Sequence, residues 1–127
     1  MLEFLETAPD VIALRIGGKI QGAELEAVMD RLEPMLASNE TTHVFVEVQA
    51  ITGIAIDGLA GYSARAVPLF GKLRKFGRVA VVAEQAWIRM ATRIESALLP
   101  HISYRTFTSN QSDEALAWVT GAAEPTA

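Results

Sequence analysis

The chain of 127 residues contains no cysteine, which excludes disulfides, thiolate catalysis, zinc–cysteine sites and iron–sulfur clusters. Histidine is scarce: His43 and His101 open two different predicted strands, with no His, Asp or Glu beside them at metal-ligand spacing. No metal site and no other cofactor is expected. Ser63 and Ser96 lack a local His partner, so no nucleophilic triad and no catalytic residue is assigned, and an enzyme is not the reading. Basic residues are in deficit, eleven Lys and Arg against fifteen Asp and Glu, for a net charge of −4. Such a balance lacks the concentrated positive surface that counterion release from nucleic acid requires, so no nucleic-acid partner is expected. Long apolar runs are missing too. The longest, such as residues 79–83, fall far short of the roughly 20 residues that span a bilayer. The first residues carry acids where a signal peptide needs bases, so a soluble, cytoplasmic protein without a membrane span is the expectation.

What is present argues for a packed interior. Half the residues are hydrophobic and a fifth are charged, with a mean hydropathy of +0.24. That is the composition of a folded chain, and the length suits one domain over residues 1–120 followed by a flexible tail at 121–127.

Alternating and helical spacings take turns along the sequence, the mark of an α/β domain. Residues 2–6 and 11–16 read as strands joined by the turn Thr7-Ala8-Pro9-Asp10, hence an antiparallel hairpin, with Gly17-Gly18 ending the second strand or making a bulge. Leu25, Val28, Met29, Leu32 and Leu36 form one stripe of a helix over 22–38, in which Pro34 predicts a kink or an early end. A third strand covers 43–49. A second helix starts at Asp57 as its N-cap and carries Pro68 mid-way and cations before Gly77. The nearly all small and β-branched residues 78–83 predict a central, buried strand. A third helix over 85–98, a strand over 101–107 and a short helix over 114–120 packing Ala115, Trp118 and Val119 complete the chain.

The strands carry charge on one face. Arg15 alternates with Leu14 and Ile16, Glu47 with Val46 and Val48, and Arg105 with Tyr104. A parallel sheet covered on both sides reads instead as continuous apolar runs. A mixed five-stranded sheet with its four helices mainly on one face is therefore expected. Arg15, Glu47 and Arg105 should be wet or paired, because burying an unpaired charge costs several kcal/mol.

This order of elements, with Ile54-Ala55-Ile56-Asp57-Gly58-Leu59-Ala60-Gly61 opening the second helix, resembles the SpoIIAA-like (STAS-type) domains. More narrowly it is similar to their small bacterial STAS/SEC14-related branch, in Phe76-Gly77-Arg78-Val79-Ala80-Val81-Val82-Ala83 before Trp87 and in Asp113-Glu114-Ala115-Leu116-Ala117-Trp118-Val119. The resemblance implies a mixed sheet flanked by helices and, in this branch, binding of apolar small molecules or lipids rather than catalysis. Anti-sigma-factor antagonists of the wider family carry Asp-Ser at the start of the second helix, and that serine is phosphorylated. Asp57 matches the Asp, but Gly58 stands in place of the serine, so the resemblance does not extend to a phospho-switch. Ser63, more than a turn further on, is no substitute.

The remaining candidates rest on their own chemistry. Gly53, Gly58 and Gly61 match neither phosphate-binding spacing, and Asp57 would repel an anion. Lys72, Arg74, Lys75 and Arg78, with Phe76 among them, form the densest basic cluster, which answers a helix C-terminus and is open to an anionic partner. Glu47 is most simply an ion pair with Arg15 or Arg105. Tyr62, Phe70, Trp87 and Met90 recur on the second and third helices beside small alanines and the Pro68 bend. A lining of aromatics and Met suits an apolar or lipid-like ligand, held between those helices and the sheet. The alternative is a protein-interaction domain docking a partner on Asp57, Gly58 and Leu59. A third reading is a homodimer through the uncovered sheet face or an edge strand.

Overall fold

A computed structural model describes residues 1–54, 75–86, 88, 90, 93 and 102–121. Strands β1 (Leu2–Leu5), β2 (Val11–Ile20), β3 (Thr42–Ile54), β4 (Phe76–Ala83) and β5 (Ser103–Phe107) form one sheet in the order β1-β2-β3-β4-β5. The β1–β2 pair is the antiparallel hairpin expected from the Pro9 turn, and the other three pairings are parallel. Helix α1 (Gly22–Ser38) connects β2 to β3, and α2 (Ser112–Thr120) closes the described chain after a single 3-10 turn at Ser109–Gln111.

The local chemistry of these elements is legible residue by residue. Helix α1 starts at a capping arrangement: Glu24 N–H donates to Gln21 O at 3.0 Å, and the Glu24 carboxylate accepts from Gln21 N–H at 2.8 Å. The helix runs through Pro34 to Ser38 rather than ending early, and its last turn closes with Asn39 N–H on Met35 O at 2.9 Å. The Gly17-Gly18 bulge is present. Register slips by a residue on each side of Gly18, whose φ of +64° is a left-handed conformation that other residues rarely adopt.

The helical cover departs from the expectation of four helices mainly on one face. Two helices are bounded among the described residues, and they lie on opposite faces. Helix α1 sets Met29, Leu32 and Leu36 against Ile12 and Leu14, with Leu2, Phe4, Ile16, Val44, Val46 and Phe76 around them. Helix α2 sets Ala115, Trp118 and Val119 against Val11, Ala13, Phe45, Ala80, Val82 and Phe107. The charges misled because they mark one cross-strand row rather than a whole bare face. Glu3 stands opposite Arg15 and Arg15 opposite Glu47, while the next row on the same face, Ala13 and Phe45, is buried. The second predicted helix, from Asp57, lies outside the described residues. In the third, Ala86, Ile88, Met90 and Arg93 are helical and the remainder lies outside them. Among the described residues no helix is long and apolar enough to cross a membrane.

Candidate functional site

The two faces differ in how completely they are filled. Under α2 the packing is tight: Phe45, Ala80, Val82, Ala115 and Val119 are all at or below 1% exposed. The Phe107 and Trp118 rings meet at 6.2 Å between centroids, tilted by 50°. Arg105 lies over both rings, and Arg78 lies over Trp118 while its Nη1 donates to Trp118 O at 2.9 Å.

Under α1 the sheet and helix do not close. A cavity of about 210 Å³ lies between the first half of α1 and the β1–β3 part of the sheet. Its lining is Leu2, Ile12, Leu14, Ile16, Ile20, Leu25, Val28, Leu32, Val44 and Val46, with Glu24 as the one polar side chain among the described residues. Ile12, Leu14, Ile20 and Leu32 are the buried part of the wall, whereas Leu2, Ile16, Leu25, Val28, Val44 and Val46 are half-buried. Glu24 stands with the half-exposed residues. One of its oxygens holds Gln21 N–H, and the other lies 3.1 Å from the Met1 ammonium, which also donates to Gly17 O. These contacts, led by the hydrogen bond from Gln21, hold the Glu24 carboxyl below its ordinary value against the opposing effect of burial.

Two polar devices frame the opposite face. At the edge of α2, Arg15 Nε donates to Glu47 at 2.5 Å, its Nη1 donates to Glu3 at 2.8 Å, and Ser112 Oγ donates to Glu47 at 2.7 Å. Burial alone would raise the Glu47 carboxyl, but these hydrogen bonds and the Arg15 charge together hold it below the usual carboxylate range. A group so held stays ionised and paired, which suits alignment of the strands with the start of α2 rather than proton transfer. At the other end of the sheet, His43 Nδ1 accepts from Arg78 N–H at 2.8 Å, at the point where the β3–β4 register slips. Its Nε2 faces Asp10 at 3.7 Å. Burial lowers the His43 pKa, the nearby Arg78 adds to that, and Asp10 opposes it. Gly77 makes the arrangement fit, because a Cβ there would come within 2.5 Å of the His43 ring.

A family model described as SpoIIAA-like matches residues 11–120. The chain belongs to the SpoIIAA-like family. No curated protein matches it. Among solved structures it is similar to an uncharacterised DUF3478-family protein with a SpoIIAA-like fold from Shewanella loihica. That pair shares 21% identity over 94% of this chain and 92% of the other, with a TM-score of 0.63. It is also similar to the unphosphorylated anti-sigma factor antagonist SpoIIAA, at 8% identity, 90% and 96% coverage and a TM-score of 0.57. The phosphorylated Bacillus cell fate determinant SpoIIAA gives 10% identity, 90% and 97% coverage and 0.56. At these identities the likeness is one of fold.

Within this SpoIIAA-like domain, Tyr62, Phe70 and Trp87 of the expected ligand site, and Asp57, Gly58 and Leu59 of the expected docking site, lie outside the described residues. Met90 is described, helical and 62% exposed. In the basic cluster, Lys75 Nζ donates to Leu36 O at the end of α1, at 2.8 Å, and Arg78 is engaged with Trp118. Lys72 and Arg74 lie outside the described residues. Glu47 pairs with Arg15, as the charges on the strands require. The α1 cavity was not anticipated. Its lining was visible only as ordinary core stripes, and the signal for it would have been the bulk missing at Val28, Val44 and Val46.

Proposed function

We propose that this SpoIIAA-like domain is a non-enzymatic binding module that holds an apolar small molecule in the cavity beneath α1. The observation carrying this reading is the cavity itself: about 210 Å³, with ten apolar side chains and one carboxylate among the described residues of its wall. A dry apolar cavity of about 150 Å³ is enough to take up benzene. The space here accommodates a larger ring or part of a hydrocarbon chain, which gains about 25 cal/mol for each Å² removed from water. The half-buried part of the lining gives such a molecule a route in.

The test uses octan-1-ol as probe and Val28→Phe as the filled-cavity variant. Wild-type protein should be stabilised against heat in proportion to the logarithm of octanol concentration once the site is saturated. Val28→Phe should melt normally without ligand and gain at most a small part of that shift. Equal shifts in the two proteins, or none in either, would remove the reading. Protein purified from its own host without detergent should also carry an apolar adduct visible by native mass spectrometry.

The fold shared with an anti-sigma factor antagonist supports a second reading, a protein-interaction domain. Met90, 62% exposed on a helical segment, is the side chain on which this reading is tested. Met90→Glu separates the two readings: partner capture should fall while octanol binding stays.

A further inference from the structure

We infer that the α1 cavity selects its ligand by head group, taking a hydrocarbon chain that ends in an uncharged hydrogen-bond donor, such as an aliphatic alcohol, and discriminating against the corresponding carboxylate. This inference rests on the proposed binding of an apolar molecule in the same cavity. It follows from where the polar atoms are. The buried part of the wall, Ile12, Leu14, Ile20 and Leu32, offers a polar head nothing to bond to, so the hydrocarbon end goes there. The head is left beside Glu24, the one polar side chain of the described lining.

Glu24 sets the electrostatics around the head. No Lys, Arg or His is among the described lining residues, so none of these side chains neutralises an anionic head. The Met1 ammonium is near, but it is already engaged by Glu24 at 3.1 Å and by Gly17 O at 2.8 Å. A fatty-acid carboxylate placed here would meet an ionised carboxylate in a setting less wet than bulk water, where like charges repel more strongly. A hydroxyl can instead donate to a Glu24 oxygen, since the carboxylate has lone pairs to spare after meeting Gln21 N–H and the Met1 ammonium. The Glu24 position is fixed by the helix start. The capping arrangement orients the carboxylate, so its charge stays at the cavity wall instead of swinging into solvent.

The experiment measures affinities of octan-1-ol and sodium octanoate for the wild-type protein and for Glu24→Gln, by calorimetry at pH 7.5 and low salt. Glutamine preserves the capping arrangement, so the variant keeps its helix start. The wild type should bind octanol at least tenfold more tightly than octanoate. Glu24→Gln should improve octanoate binding at least fivefold and so narrow that gap. Octanoate binding as tightly as octanol to the wild type would overturn the inference and leave the apolar-ligand reading standing, as would a gap that Glu24→Gln does not change. If neither molecule binds the wild type, both fall together.

Discussion

The two faces of one sheet solve the same problem to different degrees. Beneath α2, Phe45, Val82 and Val119 are sealed and the Phe107–Trp118 pair is clasped by two arginines. Beneath α1, side chains of similar type leave about 210 Å³ empty. Both faces draw on alternate residues of the same strands, so strand propensity cannot be the cause. The difference is the bulk brought by each helix and its opposing wall. Helix α2 supplies a Trp against a Phe-bearing sheet, whereas α1 brings Leu25 and Val28 to a wall of Val and Ile. A packed face contributes stability and specifies the fold; a gap on the other face gives up dispersion contacts and leaves room for a guest.

That contrast makes four predictions, from large to small. Trp118→Ala should lose about 3–5 kcal/mol in urea unfolding, because it empties the sealed face, leaves Arg78 without its ring and leaves Arg105 with that of Phe107 alone. A loss under about 1 kcal/mol would mean that this face is not the packed one. Gly77→Ala should cost about 1–3 kcal/mol, since the new methyl group meets the His43 ring and Thr41 Cγ2 within 2.7 Å. The third concerns pH. Neutral His43 accepts from Arg78 N–H, and its folded pKa lies below the ordinary 6.5. The unfolded chain therefore takes up the proton first. Stability from this group is present above about 6.5 and is lost as pH falls through the lower folded value. Melting temperature should accordingly drop between pH 7 and pH 5 in the wild type and drop less in His43→Gln. The smallest effect belongs to the loose face. Val28→Phe should change stability by no more than about 1 kcal/mol in either direction, because the added ring has space to enter. A loss as large as that of Trp118→Ala would close the gap between the faces.

Much of this architecture could be read from the chain beforehand. The Pro9 turn gave the hairpin, the 3.6-residue stripe from Leu25 to Leu36 gave α1 over the span observed, and Ala115, Trp118 and Val119 gave the buried side of α2. That Glu47 pairs with Arg15 or Arg105 followed from the cost of leaving it alone, and the structure gives Arg15. The distribution of helices did not follow. Charge at alternate strand positions looks the same whether a whole face is bare or one cross-strand row stands beside a helix end, and only the register of Glu3, Arg15 and Glu47 separates the two. The His43–Gly77 contact depends on a register slip between β3 and β4, which spacing along one chain does not encode. The cavity was hidden for a related reason. A stripe of Leu and Val announces that a helix packs, but whether it fills its space is a property of two surfaces together.

Methyl-resolved NMR during a titration with octan-1-ol reads both faces at once. A guest beneath α1 should shift the methyl signals of Leu14, Val28 and Val46, in saturable fashion, while those of Val82 and Val119 stay where they are. Signals that move equally on both faces, or a spectrum indifferent to the alcohol, would contradict a sheet with one closed side and one receptive side.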